Sequence, residues 1–82
     1  MSTDSTDAIH ARLLALAAAR FEQDTSALGP DDDFFDALGI DSYRAMELLT
    51  DVEEAFGVEI PDYELQGVTT FGALATVIKR RL

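Results

Sequence analysis

Apolar residues recur every three or four positions in three long stretches of the chain, which is the spacing of an amphipathic α-helix. The first stretch covers about residues 7–23, and the side chains that recur there are Ile9, Leu13, Leu16, Ala17, Arg20 and Phe21. The second covers about residues 42–56, with apolar positions at Ala45, Met46, Leu48, Leu49, Val52 and Phe56. The last begins near residue 70 and carries Phe71, Leu74, Ala75, Ile78 and Leu82. The pattern predicts three long helices.

Glycine, proline and short polar side chains indicate where these helices begin and end. Gly29-Pro30 breaks the chain after the first helix, and Gly39 and Gly57 stop the next two apolar segments. Residues 1–6 are polar, so we expect them to be frayed. The candidate N-terminal caps are Asp4, Ser5 or Thr6 for the first helix, Asp41 or Ser42 for the second, and Thr69 or Thr70 for the last.

Two shorter segments lie between the long helices. Phe34, Phe35 and Leu38 form an apolar turn that must be buried, which fixes the long loop after the first helix to the body of the protein. Pro61 suits the first turn of a short third helix that ends near Leu65. No stretch alternates with period two, so no sheet is predicted. The expected fold is all-α: a four-helix bundle of three longer helices and one short helix, with a long ordered loop after helix one.

Length and charge exclude several classes of function. We expect residues 1–82 to form a single small domain. The net charge of −10 excludes a nucleic-acid binder that neutralises phosphates, and it argues against adhesion to an anionic membrane. The absence of cysteine and the single histidine exclude thiolate chemistry and a multi-histidine metal site. Because there is no signal-peptide pattern and no apolar stretch of spanning length, we expect a cytoplasmic protein.

The acidic residues are concentrated in one part of the chain. Twelve of the sixteen lie between residues 31 and 64, where Arg44 is the one base. One interpretation is that a small domain stays soluble by being acidic. The other is a docking surface for basic partners, which the charge would steer into place. The charge alone does not decide between them.

The candidate catalytic and calcium-binding patterns fail on spacing. An EF-hand loop that started at Asp31 would need an oxygen ligand where Phe35 stands and a glycine where Asp36 stands. Ser42 lies in Gly-Ile-Asp-Ser-Tyr, which is not the G-x-S-x-G motif, and His10 lies far away in the first helix. We therefore predict no catalytic residues and no metal site, and we expect His10 to be exposed or half-buried.

Ser42 follows a loop and stands at the start of an acidic helix. A helix N-terminus offers unpaired N–H groups and partial positive charge, which suit a phosphate group. Asp41 and Ser42 are also what an ordinary N-terminal cap requires, so the position alone is open to both interpretations.

The segment from Asp33 to Ser42, Asp-Phe-Phe-Asp-Ala-Leu-Gly-Ile-Asp-Ser, resembles the modification-site signature of the acyl carrier proteins and their peptidyl and aminoacyl relatives. The resemblance continues through residues 52–56 (Val-Glu-Glu-Ala-Phe), 58–62 (Val-Glu-Ile-Pro-Asp) and 68–71 (Val-Thr-Thr-Phe), and it covers nearly the whole chain. Gly-x-Asp-Ser alone is a weak signal, but with these later segments at this distance it is strong.

The resemblance implies that Ser42 is the attachment site of 4′-phosphopantetheine. A phosphopantetheinyl transferase would move this group from coenzyme A, and Mg²⁺ would be needed only by that enzyme. Asp41 would cap the helix and help to present Mg²⁺, while Gly39 would shape the loop and Ile40 would anchor it. The chain would then be a carrier without catalytic activity, holding acyl, aminoacyl or small hydroxy-acyl groups as thioesters in a fatty-acid, polyketide or related natural-product pathway.

The resemblance also implies that the second helix is the docking helix, which meets Lys and Arg residues of acyl-loading and chain-processing enzymes. This favours the docking interpretation of the charge. Tyr43 stands where the family most often has Leu, and Arg44 adds a positive charge, so the identity of the partners stays open. Position 40 is Ile where peptidyl carriers tend to have Gly, which favours the acyl-type branch. The implied docking residues are Tyr43, Met46, Glu47, Asp51, Glu53 and Glu54.

Three alternatives stay open at this point. The chain would be a peptidyl or aminoacyl carrier of a nonribosomal-peptide-type pathway, an acidic interaction module of the same fold whose Ser42 is never modified, or a small calcium-responsive helical protein. In each case we expect a monomer without nucleic-acid or membrane partners.

Overall fold

The computed structural model describes residues 5–82, and within them the fold is all-α, as predicted. The only strand-like pairing in this range is a single antiparallel bridge between Asp33 and Thr70. No helix among these residues has the length and apolar character that crossing a membrane requires. The helices are α1 (Thr6–Phe21), α2 (Phe34–Leu38), α3 (Ser42–Phe56), a 3₁₀ helix (Asp62–Leu65) and α4 (Phe71–Arg81).

The two short elements differ from their predictions. The apolar turn before Gly39 is a five-residue α-helix, α2, because Asp33 caps it and thereby satisfies two of its first N–H groups. The short third helix is a 3₁₀ helix, and Pro61 precedes it as the N-terminal cap instead of lying in its first turn. Pro61 offers no side-chain hydrogen bond to cap that helix, and four residues are a usual length for this tighter helix type.

The long helices begin at residues that the sequence named as candidate caps. Ser5 Oγ accepts a hydrogen bond from the Ala8 N–H at 3.2 Å. Thr70 Oγ1 accepts one from the Ala73 N–H at 3.1 Å. Ser5 and Thr6 therefore belong to the start of α1 and not to the frayed segment expected over residues 1–6. The rest of that segment lies outside the described residues.

The hydrophobic core lies between α1, α3 and α4, and α1 packs most extensively against α4. Ile9, Leu13 and Ala17 of α1 are completely buried, as the helical spacing predicted. Leu82 was predicted to belong to the apolar face of α4, but it is exposed because the helix ends at Arg81. Val77 was not in that predicted set, and it is buried beside Ile78.

The loop between α1 and α2 is ordered by contacts at several points, as predicted. The buried Thr25 donates its hydroxyl to the Leu14 carbonyl at 2.8 Å. The Gly72 N–H donates to the Pro30 carbonyl at 2.9 Å, and the Phe34 N–H donates to the Thr69 carbonyl, also at 2.9 Å. These bonds join the loop to the start of α4. The aromatic rings of Phe34 and Phe71 stack there with centroids 4.9 Å apart.

The 3₁₀ helix is attached to the end of α4 by an ion pair. Arg81 Nε lies 2.7 Å from Glu64 Oε2, and Arg81 Nη2 lies 3.5 Å from the Tyr63 hydroxyl. Glu64 holds the pKa of Arg81 above its usual range. The cations of the last turn of α4 also face the negative end of the helix dipole, which is the structural role predicted for Lys79, Arg80 and Arg81.

Candidate functional site

A tight turn at Gly39 leads the chain from α2 toward Ser42. Gly39 ends α2 with φ at +66°, a left-handed conformation that a residue with a side chain rarely adopts. The Gly39 and Ile40 N–H groups both donate to the Phe35 carbonyl, which closes the end of α2. Gln23 Nε2 donates to the Leu38 carbonyl at 2.8 Å, so α1 also holds this turn. The half-buried Ile40 then leads into α3.

Ser42 is the first residue of α3 and is exposed. Asp41 precedes it in an extended conformation, and its Oδ1 accepts a hydrogen bond from the Arg44 N–H at 2.9 Å. The cap therefore uses one carboxylate oxygen of Asp41 and leaves the serine hydroxyl at the positive end of a fifteen-residue helix. The four residues predicted for the attachment site, Gly39, Ile40, Asp41 and Ser42, are consecutive and form the connection from α2 to α3.

An apolar cavity of about 160 Å³ lies beside Ser42. Ser42 is the one hydroxyl-bearing residue among its lining residues, which come from α2, α3, α4 and the segment around the 3₁₀ helix. Its walls include Phe34, Phe35, Met46, Leu49, Leu65 and Val68. A group joined to the Ser42 oxygen would therefore have water on one side and an apolar recess on the other, which fits an attached flexible arm with both polar and apolar parts.

The acidic residues of α3 differ in how far their carboxylates are engaged by other residues of the chain. Arg20, at the end of α1, forms a bidentate hydrogen-bonded ion pair with Asp51. The distances from Nε to Oδ2 and from Nη2 to Oδ1 are both 2.7 Å. The same guanidinium lies 3.7 Å from Glu47 through its Nη1. The hydrogen bond to Arg20 lowers the pKa of Asp51, and Asp51 in turn raises the pKa of Arg20.

The other residues that were predicted to serve docking fall into two groups. Glu53 Oε2 accepts a hydrogen bond from the Ile60 N–H at 2.7 Å, so this carboxylate holds the segment that leads into the 3₁₀ helix. Tyr43, Met46 and Glu54 are exposed, with relative exposures of 74% for Tyr43 and 53% for Met46. The predicted docking set therefore contains two exposed apolar side chains near Ser42 and acids that differ in their intramolecular contacts.

The other chemistries considered from the sequence find no support in the described part of the chain. Among residues 5–82, no three carboxylate or imidazole groups converge in a way that could hold a metal ion. His10 is half-buried in α1, with its ring edge-on to Phe71 at a centroid distance of 6.4 Å. The imidazole is thus packed against the core at the side of α4.

The sequence did not reveal the contact of Arg20 with α3. Helical spacing placed Arg20 with the apolar residues of α1, but Arg20 is exposed and lies outside the core, and its guanidinium binds Asp51 of α3. Its partner Asp51 lies 31 positions further along the chain, and no local pattern links the two. The only available signal was a lone arginine within an apolar stripe, which indicates a stem lying along apolar surface and a charge that reaches beyond it, but does not identify a partner.

A small helical domain that presents a serine at the start of an acidic helix, beside an apolar recess, has the construction of a carrier domain. Comparison with known proteins agrees with this class. Residues 11–78 match the sequence model of the family described as "phosphopantetheine attachment site". Over 59 residues the chain is 39% identical to the acyl carrier protein of Rubrobacter xylanophilus. This aligned segment covers 72% of this chain and 73% of that protein.

The chain belongs to the acyl carrier protein family, which confirms the resemblance seen in the sequence. Its prosthetic group is 4′-phosphopantetheine, attached covalently. Members of this family act as carriers that work with transferases and acyl-processing enzymes.

Proposed function

We propose that Ser42 is the residue that carries 4′-phosphopantetheine, and that the domain holds acyl groups on it and presents them to partner enzymes. The observation that carries this proposal is the position of Ser42: exposed, first in α3, next to the Asp41 cap and within the segment that matches the family. When bound, the arm supplies the thiol on which acyl groups are held as thioesters. The chain itself contains no cysteine, so it has no thiol of its own.

The residues of this chain have distinct parts in the attachment step. Ser42 Oγ forms a bond to the phosphorus that bears the pantetheine in coenzyme A. The bond from that phosphorus to 3′,5′-ADP breaks, and the serine proton passes to a base of the transferase. Asp41 has one carboxylate oxygen outside its capping bond, and we assign to it the presentation of the transferase Mg²⁺. Gly39 and Ile40 fix the turn that positions the hydroxyl.

The positive end of α3 favours the product of this step. The product is a phosphodiester, which carries a negative charge at neutral pH, and the first turn of a helix stabilises an anion by about 0.3–1 kcal/mol at an exposed position. Arg44, two residues further along the same helix, is exposed and adds a full positive charge near the site. Both features support Ser42 as the attachment site of a phosphate ester.

Partner enzymes are expected to dock on α3. Exposed Tyr43 and Met46 offer apolar contact beside the attachment site, and Glu47, Asp51, Glu53 and Glu54 offer negative charge. Basic patches on the transferase and on acyl-loading and chain-processing enzymes would match this surface. Exposed ion pairs contribute only about 0–1 kcal/mol each, so binding should be weak and sensitive to salt, which suits transient delivery.

We assign the chain to the acyl-type carriers of a fatty-acid, polyketide or related natural-product pathway, acting as a monomeric single domain in the cytoplasm. The curated relative that the chain matches is an acyl carrier protein, and Ile40 stands where peptidyl carriers tend to have glycine. The net charge of −10 opposes self-association and contact with nucleic acid or anionic membranes. A peptidyl or aminoacyl carrier, or an unmodified interaction module, are the alternatives.

The test is the intact mass of the protein before and after incubation with coenzyme A, Mg²⁺ and a broad-specificity phosphopantetheinyl transferase. We expect wild type to gain one phosphopantetheine and Ser42→Ala to gain none. Ser26→Ala removes another exposed serine, in the loop after α1, and should be modified like wild type. A folded, initially unmodified wild type that gains no mass with several transferases would favour the unmodified interaction module.

A further inference from the structure

Arg20 occupies the middle of the acidic surface of α3. Glu47, Asp51 and Glu54 are three or four positions apart, so they form one stripe along the helix. Arg20 reaches across from α1 and binds the central acid, Asp51, through both of its oxygens at 2.7 Å. It also lies within 3.7 Å of Glu47, and all three acids contribute to the raised pKa of Arg20.

Arg20 occupies both carboxylate oxygens of Asp51, which are the atoms that a cation of a partner enzyme would bind. A planar guanidinium bound to both carboxylate oxygens is the strongest common form of surface ion pair, with higher specificity than a single lysine contact. An incoming Lys or Arg can reach the carboxylate of Asp51 only by displacing Arg20 or by sharing its oxygens. The positive charge of Arg20 also repels an incoming cation and reduces the negative potential that attracts it.

We propose that Arg20 is a built-in competitor for the basic docking residues of partner enzymes, so that it weakens docking through Asp51 and Glu47 and selects partners that bind through Tyr43 and Met46. This rests on the proposed function, since it concerns the docking of enzymes at Ser42. The partner that fits is an enzyme with an apolar recess for the exposed Tyr43 and Met46 side chains. The cations of this partner contribute less to the affinity of docking than the number of acidic residues in α3 suggests.

The experiment measures the KM of a phosphopantetheinyl transferase for the unmodified carrier and for its variants. Arg20→Gln frees Asp51 and Glu47, so its KM should fall by about two- to fivefold at low salt, the range of one exposed ion pair. The difference should shrink at 0.5 M NaCl because salt screens exposed charges, with a Debye length of about 3 Å at 1 M.

The matched control is Arg80→Gln. Arg80 is exposed in the last turn of α4, and within residues 5–82 it forms no ion pair. Its replacement changes the net charge by the same amount but leaves Asp51 bound to Arg20. We expect its KM to stay close to that of wild type. A second check is Arg20→Gln with Asp51→Asn, which should return the KM toward the wild-type value if the gain came from a freed Asp51.

Three outcomes would overturn the proposal for a folded Arg20→Gln variant: an unchanged KM, a raised KM, or a fall equal to that of Arg80→Gln. Circular dichroism establishes that each variant is folded. The final mass gain separates this test from the proposed function. If the proposed function is wrong, no variant gains mass. If only the competitor role is wrong, every variant is fully modified, and the KM of Arg20→Gln shows no fall beyond that of Arg80→Gln.

Discussion

The close approach of Gly72 to Pro30 predicts that Gly72→Ala destabilises the protein although alanine is the better helix former. Gly72 is the second residue of α4, and its N–H donates to the Pro30 carbonyl at 2.9 Å. A Cβ atom at this position would lie 2.7 Å from the Pro30 carbonyl oxygen and 3.2 Å from Pro30 Cβ. Both atoms belong to the rigid part of the loop, so no flexible side chain can move aside.

The sign of the effect follows from three magnitudes. Exchanging glycine for alanine in a helix gains about 1 kcal/mol. Forcing the loop away lengthens the hydrogen bond to Pro30, which costs about 0.5–1.5 kcal/mol. Strain from overpacking adds about 1–3 kcal/mol. The net loss is about 2 kcal/mol, which for a domain of this size lowers the melting temperature by roughly 10 °C.

The assay is urea and thermal unfolding followed by circular dichroism. Gly29→Ala is the matched control because Gly29 lies in the same loop, and a Cβ there would be 3.4 Å from Asp32 Oδ2, an ordinary contact. That variant should stay within about 0.5 kcal/mol of wild type. Equal or higher stability of Gly72→Ala would refute the reasoning, since it would mean that the loop can move away without cost.

Three further predictions concern the charges. Glu53→Ala should cost about 1–2 kcal/mol in urea unfolding because it leaves the N–H of the buried Ile60 without its charged acceptor; the exposed Glu54→Ala should cost little, and equal losses would contradict this. Arg20 holds the pKa of Asp51 below its usual value, so this pair stabilises the fold above about pH 4 and loses its effect as the pH falls through the lowered pKa. Carboxyl NMR titration should show the pKa of Asp51 rising in Arg20→Gln, and an unmoved pKa would exclude this cause. Added NaCl or MgCl₂ should raise the melting temperature because the net charge is −10, and the absence of a rise would count against self-repulsion.

The helix boundaries were predictable because caps are local. Asp41, Gly57 and Thr70 act within three or four residues of their own position, so the sequence around each one contains all the information needed. The same locality explains the correct placement of Ser42 at the start of α3. The end of α1, expected near residue 23, was not predictable in this way: the helix stops at Phe21 because Glu22 adopts a left-handed conformation, which its residue type does not signal.

Contacts between distant segments were not predictable from the pattern. Helical spacing placed Arg20 in the first helix and the family resemblance placed Asp51 on the docking helix, but only the packing of α1 on α3 brings their side chains to 2.7 Å. Glu53 was expected to serve docking, and its bond to the Ile60 N–H depends on the path of the chain after α3. Spacing alone does not determine which acids of an acidic helix remain available to partners.

The packing of α1 against α4 has a consequence for synthesis of the protein. α1 is made before its main partner α4, whose residues Phe71, Leu74 and Ile78 complete the core. At about 5–20 residues per second, translation of the residues between these helices takes roughly 3 to 10 s, during which α1 lacks that partner. The turn before Ser42 depends on the loop that Thr69 and Gly72 hold. Ribosome-bound chains that stop before residue 71 should therefore be poor substrates for the transferase, so that loading of the arm requires the residues of α4.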